Sequence, residues 1–148
     1  MLKNKVVFGE KIAGQKYKTR IGVYALIFDK DKNNLAIIQT RTGYFLPGGG
    51  LDGKESHSEC LYREANEEMG WEIEVGKYLG NSAVYHYSTT KNDYIYNDGY
   101  FYFAKMVRKI GIPTAPDHEV VWLTPADALK KLYHKNQAWA VEQVIGNK

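Results

Sequence analysis

The chain of 148 residues contains one cysteine, Cys60. This excludes an intramolecular disulfide and leaves no cysteine cluster for zinc or iron–sulfur, so the thiol reads as a buried structural group. Only four prolines, and 44% hydrophobic residues, exclude a disordered or low-complexity chain. No apolar run approaches the ~18 residues of a membrane span, and residues 1–14 lack the ~7–15-residue apolar core of a signal peptide. These absences point to a reducing, cytoplasmic setting and to no membrane partner. A large surplus of one charge is missing too: 20 Lys and Arg face 17 Asp and Glu, a net +3. That balance suits an anionic ligand but not the concentrated basic patch of a nucleic-acid binder. The densest cationic run, residues 129–135, reads as the solvated side of a helix. With no repeat and no linker, residues 1–148 are expected to form one domain, large enough to bury ~68–70% of its unfolded surface.

What is present is strand character alternating with helix signals. Residues 20–29 and 35–41 are β-branched and aromatic on either side of a polar break, which predicts a hairpin. Residues 44–46 predict a short strand, ended by Pro47 and a glycine turn at 48–50. Residues 55–69 hold no Gly or Pro and are followed by Gly70, the pattern of a helix and its stop. At ~100° per residue, Leu61, Tyr62, Ala65 and Met69 fall on one side and Glu64, Glu67 and Glu68 on a neighbouring one. The first stripe is expected against a sheet, the second at a cleft. Strand character returns at 71–76, 81–88, 99–107 and 120–123, with a polar loop expected at 89–98. Thr124, Pro125 and Asp127 have the order of a helix start, and a last helix follows Asn136. This order implies an α/β fold, an α/β/α sandwich with a mixed β-sheet between helices rather than a strict strand–helix alternation.

The segment PGGGLDGKES, residues 47–56, nearly forms a phosphate-cradling P-loop through Gly48, Gly53 and Lys54. Glu55 stands where a hydroxyl residue should bind Mg²⁺, and it would aim negative charge at the phosphates. The P-loop reading fails there, and Lys54 needs no catalytic role. Glu64, Glu67 and Glu68 instead lie within about one helical turn, roughly 6 Å along the axis. Like charges at this spacing cost ~0.2–0.5 kcal/mol per pair, so something must offset them. Mg²⁺ is suited to this: a hard ion that takes one or two carboxylates and completes its shell with waters and phosphates. The alternative is a solvated acidic face paired with lysines. The position of the acids, just after a strand, a glycine turn and a helix start, favours the cation.

Residues 49–71, GGLDGKESHSECLYREANEEMGW, resemble the signature of the Nudix hydrolase family, G-x5-E-x7-R-E-U-x-E-E-x-G-U, where U is a bulky aliphatic. Gly49, Glu55, Arg63, Glu64, Glu67, Glu68 and Gly70 all fall at the required spacing. Ala65 and Trp71 depart from it, being small and aromatic where bulky aliphatics are usual. The resemblance implies the α/β/α sandwich named above. It also implies hydrolysis of a diphosphate linkage in a nucleotide or nucleoside-diphosphate derivative by water attack at phosphorus, with Mg²⁺ or alternatively Mn²⁺. Carried over by position, Glu64, Glu67 and Glu68 would bind metal and serve catalysis, and the Gly48 carbonyl would be a further metal ligand. Gly49, Glu55, Arg63 and Gly70 would support the site.

The resemblance leaves the proton acceptor open between Glu64 and an acid outside the box, for which Glu119 is the candidate, ahead of Asp117 and Asp98. Substrate contacts are less legible: Arg41, Tyr44 and Tyr85 are candidates, while Arg20 and Lys91 read first as surface charge. Trp122 and Trp139 are expected in the core or packing against a helix, and His57, His118 and His134 show no metal-ligand spacing. A small nucleotide-type molecule is the expected partner, and because many members are dimers a homodimer is among the expected assemblies. A competing reading is a catalytically silent Nudix-fold module that binds a nucleotide and regulates something else.

Overall fold

The computed structural model describes residues 5–146. The first four residues of the stretch read as free of an apolar leader lie outside it. In chain order the elements are β1 (Val6–Phe8), β2 (Lys18–Ile27), β3 (Leu35–Thr40), β4 (Gly43–Phe45), β5 (Gly48–Gly50), α1 (His57–Met69), β6 (Trp71–Ser88), β7 (Asp93–Lys109), β8 (Glu119–Leu123), α2 (Pro125–Lys131) and α3 (Lys135–Gly146). A mixed five-stranded sheet runs in the order β1-β6-β7-β2-β5, and a second sheet runs β4-β3-β8.

β2 lies parallel to β7 along its whole length and antiparallel to β5. Its Val23, Ala25 and Ile27 join Cys60, Leu61, Ala65 and Met69 of α1 in one core layer. Its Tyr24 and Leu26 face the other way, into a layer with Ala128 of α2 and Ala140 and Val141 of α3. Alternation along one strand, with period 2, thus seals a helix layer onto each face. This is the mixed α/β fold with helices on both sides of the sheet, and Cys60 is buried within it as expected.

Several local expectations are corrected. β2 and β3 do not form a hairpin: after one bridge, Phe28 to Leu35, they separate into different sheets. Residues 22–27 and 35–38 are buried on both faces, so each strand is central to its own layer and takes other neighbours. The glycines at 48–50 form strand β5 rather than a turn. The strands expected at 71–76 and 81–88 are one strand, because the breaks at Gly76 and Gly80 coincide with register shifts in the ladder with β7. The expected loop at 89–98 shrinks to a turn, since Tyr94, Ile95 and Tyr96 already pair across the hairpin. Tyr62 and Trp122 are 46% and 41% exposed rather than core residues, whereas Trp139 packs beside Phe101 as expected. The basic run at 129–135 is not one helix face: α2 stops at Lys131, and Leu132 is buried.

Candidate active site

The acids are placed by a turn and a helix start. Ser56 is the N-cap of α1: its Oγ accepts from the Glu59 N–H at 3.1 Å, and Glu59 Oε1 accepts from the Ser56 N–H at 2.8 Å. A cap of this kind contributes ~1 kcal/mol and fixes where the first turn begins. Glu55 therefore sits just outside the helix, where its Oε1 accepts from the Asp52 N–H at 2.8 Å. Two turns up, Arg63 reaches back and donates to both Glu55 oxygens, at 2.6 and 3.0 Å, and to the Gly50 carbonyl at 3.1 Å. This bidentate contact ties the loop, β5 and α1 together. The guanidinium is the main reason the Glu55 carboxyl stays below the usual range. At the far end Gly70 takes φ 70° and donates to Ala65 and Asn66 carbonyls, closing the helix.

Braced this way, α1 drives Glu64 and Glu68 against β5. Glu68 keeps 7% of its side-chain exposure; its Oε1 accepts from the Gly48 N–H at 2.9 Å, and its Oε2 stands 3.4 Å from His118 Nδ1. Burial raises its pKa, against the pull of His118 and the Gly48 amide. Glu64 is pushed up to about 7, first by burial and next by the charge of Glu68. Two carboxylates side by side in a half-dry site resist ionising together. The glycines are required by close approach: a Cβ at Gly49 would stand 1.9 Å from Glu64 Oε2, and one at Gly48 would meet the Val23 carbonyl of β2 at 2.1 Å. Gly48 also takes φ 136°, a conformation that side chains strain.

Glu67 is more open, and its Oε2 is 3.2 Å from Arg63 Nη1. Among the described residues no three His, Cys, Asp or Glu side chains converge tightly enough to hold a metal ion. Glu119 begins β8 exposed, and with Arg41, Asp117 and His118 it lines an open pocket. Asp117 accepts from the Arg41 backbone N–H at 2.9 Å and from its Nε at 3.2 Å. Asp98 lies elsewhere, in an ion pair with Lys5 at 2.8 Å. Tyr85 belongs to a tyrosine cluster with Tyr17 and Tyr96, and Tyr44 lies under the Lys131 ammonium at 5.4 Å. Lys91 is exposed in the β6–β7 turn.

The opposite face of β2 carries a polar cleft that sequence patterning does not reveal. Gly50, Gly22 and Gly99 stand in one row across β5, β2 and β7. The space this leaves is filled by Arg20 over Gly50, the Tyr24 hydroxyl over Gly22 and the Asn136 amide over Gly99. Asn97 Nδ2 donates to the Tyr24 hydroxyl at 3.2 Å, and Asn136 Nδ2 to the Ser82 carbonyl at 3.2 Å. The carbonyl oxygens of both asparagines are buried with no partner. Such atoms need a reason, because an unpaired buried acceptor costs ~1–3 kcal/mol. The His134 ring lies tilted 4.6 Å from that of His86 and 5.7 Å from that of Phe45, and burial presses its pKa down to about 4. Both imidazoles are therefore neutral at pH 7. The charge of Arg20 acts on Glu64, His86 and His134, so this residue links the cleft to the acids. None of these residues forms a sequence motif; His118 and Arg20 stand out only once the strands are assembled.

Residues 18–143 match the family model of the NUDIX domain. Solved structures share the fold. A NUDIX hydrolase from Nitrosomonas europaea superposes with a TM-score of 0.71 at 14% identity, over 88% of this chain and 91% of its own. A MutT protein from Methanosarcina mazei Go1 gives 0.70 at 20% identity, over 90% and 98%. A dihydroneopterin triphosphate pyrophosphohydrolase of E. coli gives 0.67 at 17% identity, over 89% and 99%. None of the curated protein sequences compared with the chain matches it. Among the described residues no helix is long and apolar enough to cross a membrane. A box at the required spacing, folded as a braced loop and acidic helix inside a domain model spanning most of the sequence, places this chain in the Nudix hydrolase family.

Proposed function

We propose that the protein is a pyrophosphohydrolase that uses Mg²⁺, or Mn²⁺ in its place, to cleave a diphosphate linkage in a nucleotide or nucleoside-diphosphate derivative. The observation that carries this reading is the pair of half-buried Glu64 and buried Glu68, pressed onto Gly48 and Gly49 by the Arg63–Glu55 brace. Burying two carboxylates is costly unless a cation compensates. Glu67, Glu68, Glu64 and the Gly48 carbonyl supply the hard oxygen donors such an ion takes. Glu67, which now pairs with Arg63, would have to turn from it to join them. A divalent ion there would neutralise the diphosphate and acidify the attacking water.

The remaining work falls to the chain. Glu64 faces Gly49 within the site, whereas Glu119 is exposed at the start of β8, which favours Glu64 over Glu119 as base. Water attacks phosphorus in line, its proton passes to Glu64, and the bridging P–O bond breaks toward the leaving phosphate group. Arg20 lies where it can meet the phosphates from the cleft side. The unpaired Asn97 and Asn136 oxygens are the acceptors on this face that N–H groups of a nucleobase would meet. The test is a nucleotide panel with Mg²⁺ in ¹⁸O-labelled water, with the label located in the products. Metal-dependent turnover that is lost in Glu68→Gln supports the proposal. Tight binding without turnover on every substrate would establish the silent binding module instead.

A further inference from the structure

Where β2 ends at Ile27 and β6 begins at Trp71, the rim of both core layers opens to solvent as a groove of about 950 Å³, lined by Ala104, Met106 and Val120 of the layer beneath α1 and by Leu26, Phe28 and Phe103 of the other. That volume lies at the upper end of the ~300–1,000 Å³ typical of ligand pockets. None of Glu64, Glu67, Glu68 and His118 lines it. Its walls are apolar and aromatic: Phe28, Trp71, Met106 and Trp122. Trp71 is the aromatic residue that closes the Nudix box, and Trp122 is 41% exposed although it sits in a strand. An indole left open in a groove that a second indole also lines is poorly explained by core packing alone.

The rim is cationic. Lys30 and Lys32 come from the turn after β2, and Lys105 from β7. None of the three forms an ion pair among the described residues. The acid at the rim, Asp29, is committed to its own turn: Oδ1 accepts from the Asn33 and Asn34 N–H groups at 3.0 and 3.2 Å, and Oδ2 from Asn34 Nδ2 at 2.9 Å. The groove therefore presents an apolar floor and unpaired positive charge at its mouth.

We propose that this groove binds an amphipathic anion, an apolar body carrying a single carboxylate or phosphate head. The body would lie between Trp71 and Trp122, and the head would meet Lys30, Lys32 and Lys105. Charge complementarity selects this occupant over a second copy of the chain. A two-fold contact across the groove would set six lysines against one another, in a chain that already carries +3.

The full chain offers an internal readout, because its third tryptophan, Trp139, does not line the groove and packs beside Phe101. Decanoate, the probe, is titrated while the three indole N–H resonances are followed by NMR, with decylammonium as the cationic control. Saturable shifts of Trp71 and Trp122, with Trp139 unmoved and no response to decylammonium, are expected. The triple variant K30E/K32E/K105E should lose at least about tenfold in affinity, ~1.4 kcal/mol, and Trp122→Ala should also weaken binding. Both variants alter exposed positions, and an unchanged Trp139 resonance reports that they fold. The proposal is overturned by equal response to decylammonium, by the absence of saturable shifts, or by decanoate affinity unchanged in the lysine variant. It is also overturned if Trp71 and Trp122 shift with protein concentration alone while the mass doubles in sedimentation, which would place a second copy in the groove.

Discussion

Glu55, Arg63, Glu64, Glu67 and Glu68 all lie on one turn and the helix that follows it, and apart from the approach of His118 to Glu68 their side-chain contacts are made within that unit and the adjoining β5. The cleft on the other face of β2 draws Arg20 from β2, His86 from β6, Asn97 from β7, and His134 and Asn136 from the region where α3 begins. The first region is fixed by helical spacing and the second by strand register. A substitution in the first should act on the chemical step, and one in the second on which molecule is held for it.

The largest effect is expected at Glu68. Replacing it with Gln keeps shape and one hydrogen-bond acceptor but removes the charge, and turnover should fall about 10²–10⁴-fold while circular dichroism and thermal unfolding stay close to wild type. Near-normal turnover would show that the buried acids are not the reacting centre. A smaller loss is expected for Gly49→Ala. The added methyl would stand 1.9 Å from Glu64 Oε2, so the carboxylate must turn away. Displacing a group that supports a metal site costs about 10–100-fold, read in steady-state rates at saturating Mg²⁺, and Gly53→Ala, where a Cβ meets nothing within 4 Å, is the control for the loop.

Asn97→Ala should separate the two regions. It removes the unpaired acceptor and the hydrogen bond to the Tyr24 hydroxyl while touching none of the acids. We expect KM to rise about tenfold, the worth of one buried hydrogen bond to a ligand, with kcat nearly unchanged and Mn²⁺ affinity intact. A loss in kcat instead of KM would merge the cleft with the reacting centre.

The same contrast explains what could be read before the strands were assembled. The acidic helix is legible because an i, i+3, i+4 pattern between a glycine loop and Gly70 has one geometric meaning. Strand segments were legible as segments, yet their partners were not. Residues 20–29 and 35–41 look like a hairpin in any alternation count, and nothing in them says that β2 will instead lie beside β7, some 75 residues on. Gly76 and Gly80 look like strand ends and are irregularities within a single long strand. His118 had no ligand spacing and Arg20 looked like surface charge, because their neighbours, Glu68 and Gly50, come from other elements. Glu119 was the visible acid beside β8, but the structure puts its neighbour His118 against Glu68.

The smallest effect is also the sharpest comparison, since the two regions should tilt metal-free stability in opposite directions with pH. Glu64 has a folded pKa of about 7 against a usual 4.5, so the folded state holds a proton that the unfolded state has lost. Its contribution is present in full below about pH 4.5 and disappears as pH rises through 7. His134 is depressed to about 4 from a usual 6.5, so it is the unfolded state that gains the extra proton, and stability is lost as pH falls from 6.5 toward 4. In wild type these slopes partly cancel between pH 4.5 and 6.5. Glu64→Gln removes the falling slope, so its melting temperature should climb more steeply across that window than wild type, whereas His134→Gln should climb less or fall. Added Mg²⁺ should stabilise wild type more at pH 8 than at pH 5, because only the ionised acids bind it. Parallel melting curves for wild type and both variants across pH 4.5–7 would mean that neither the acids nor the cleft imidazoles are as buried as the fold places them.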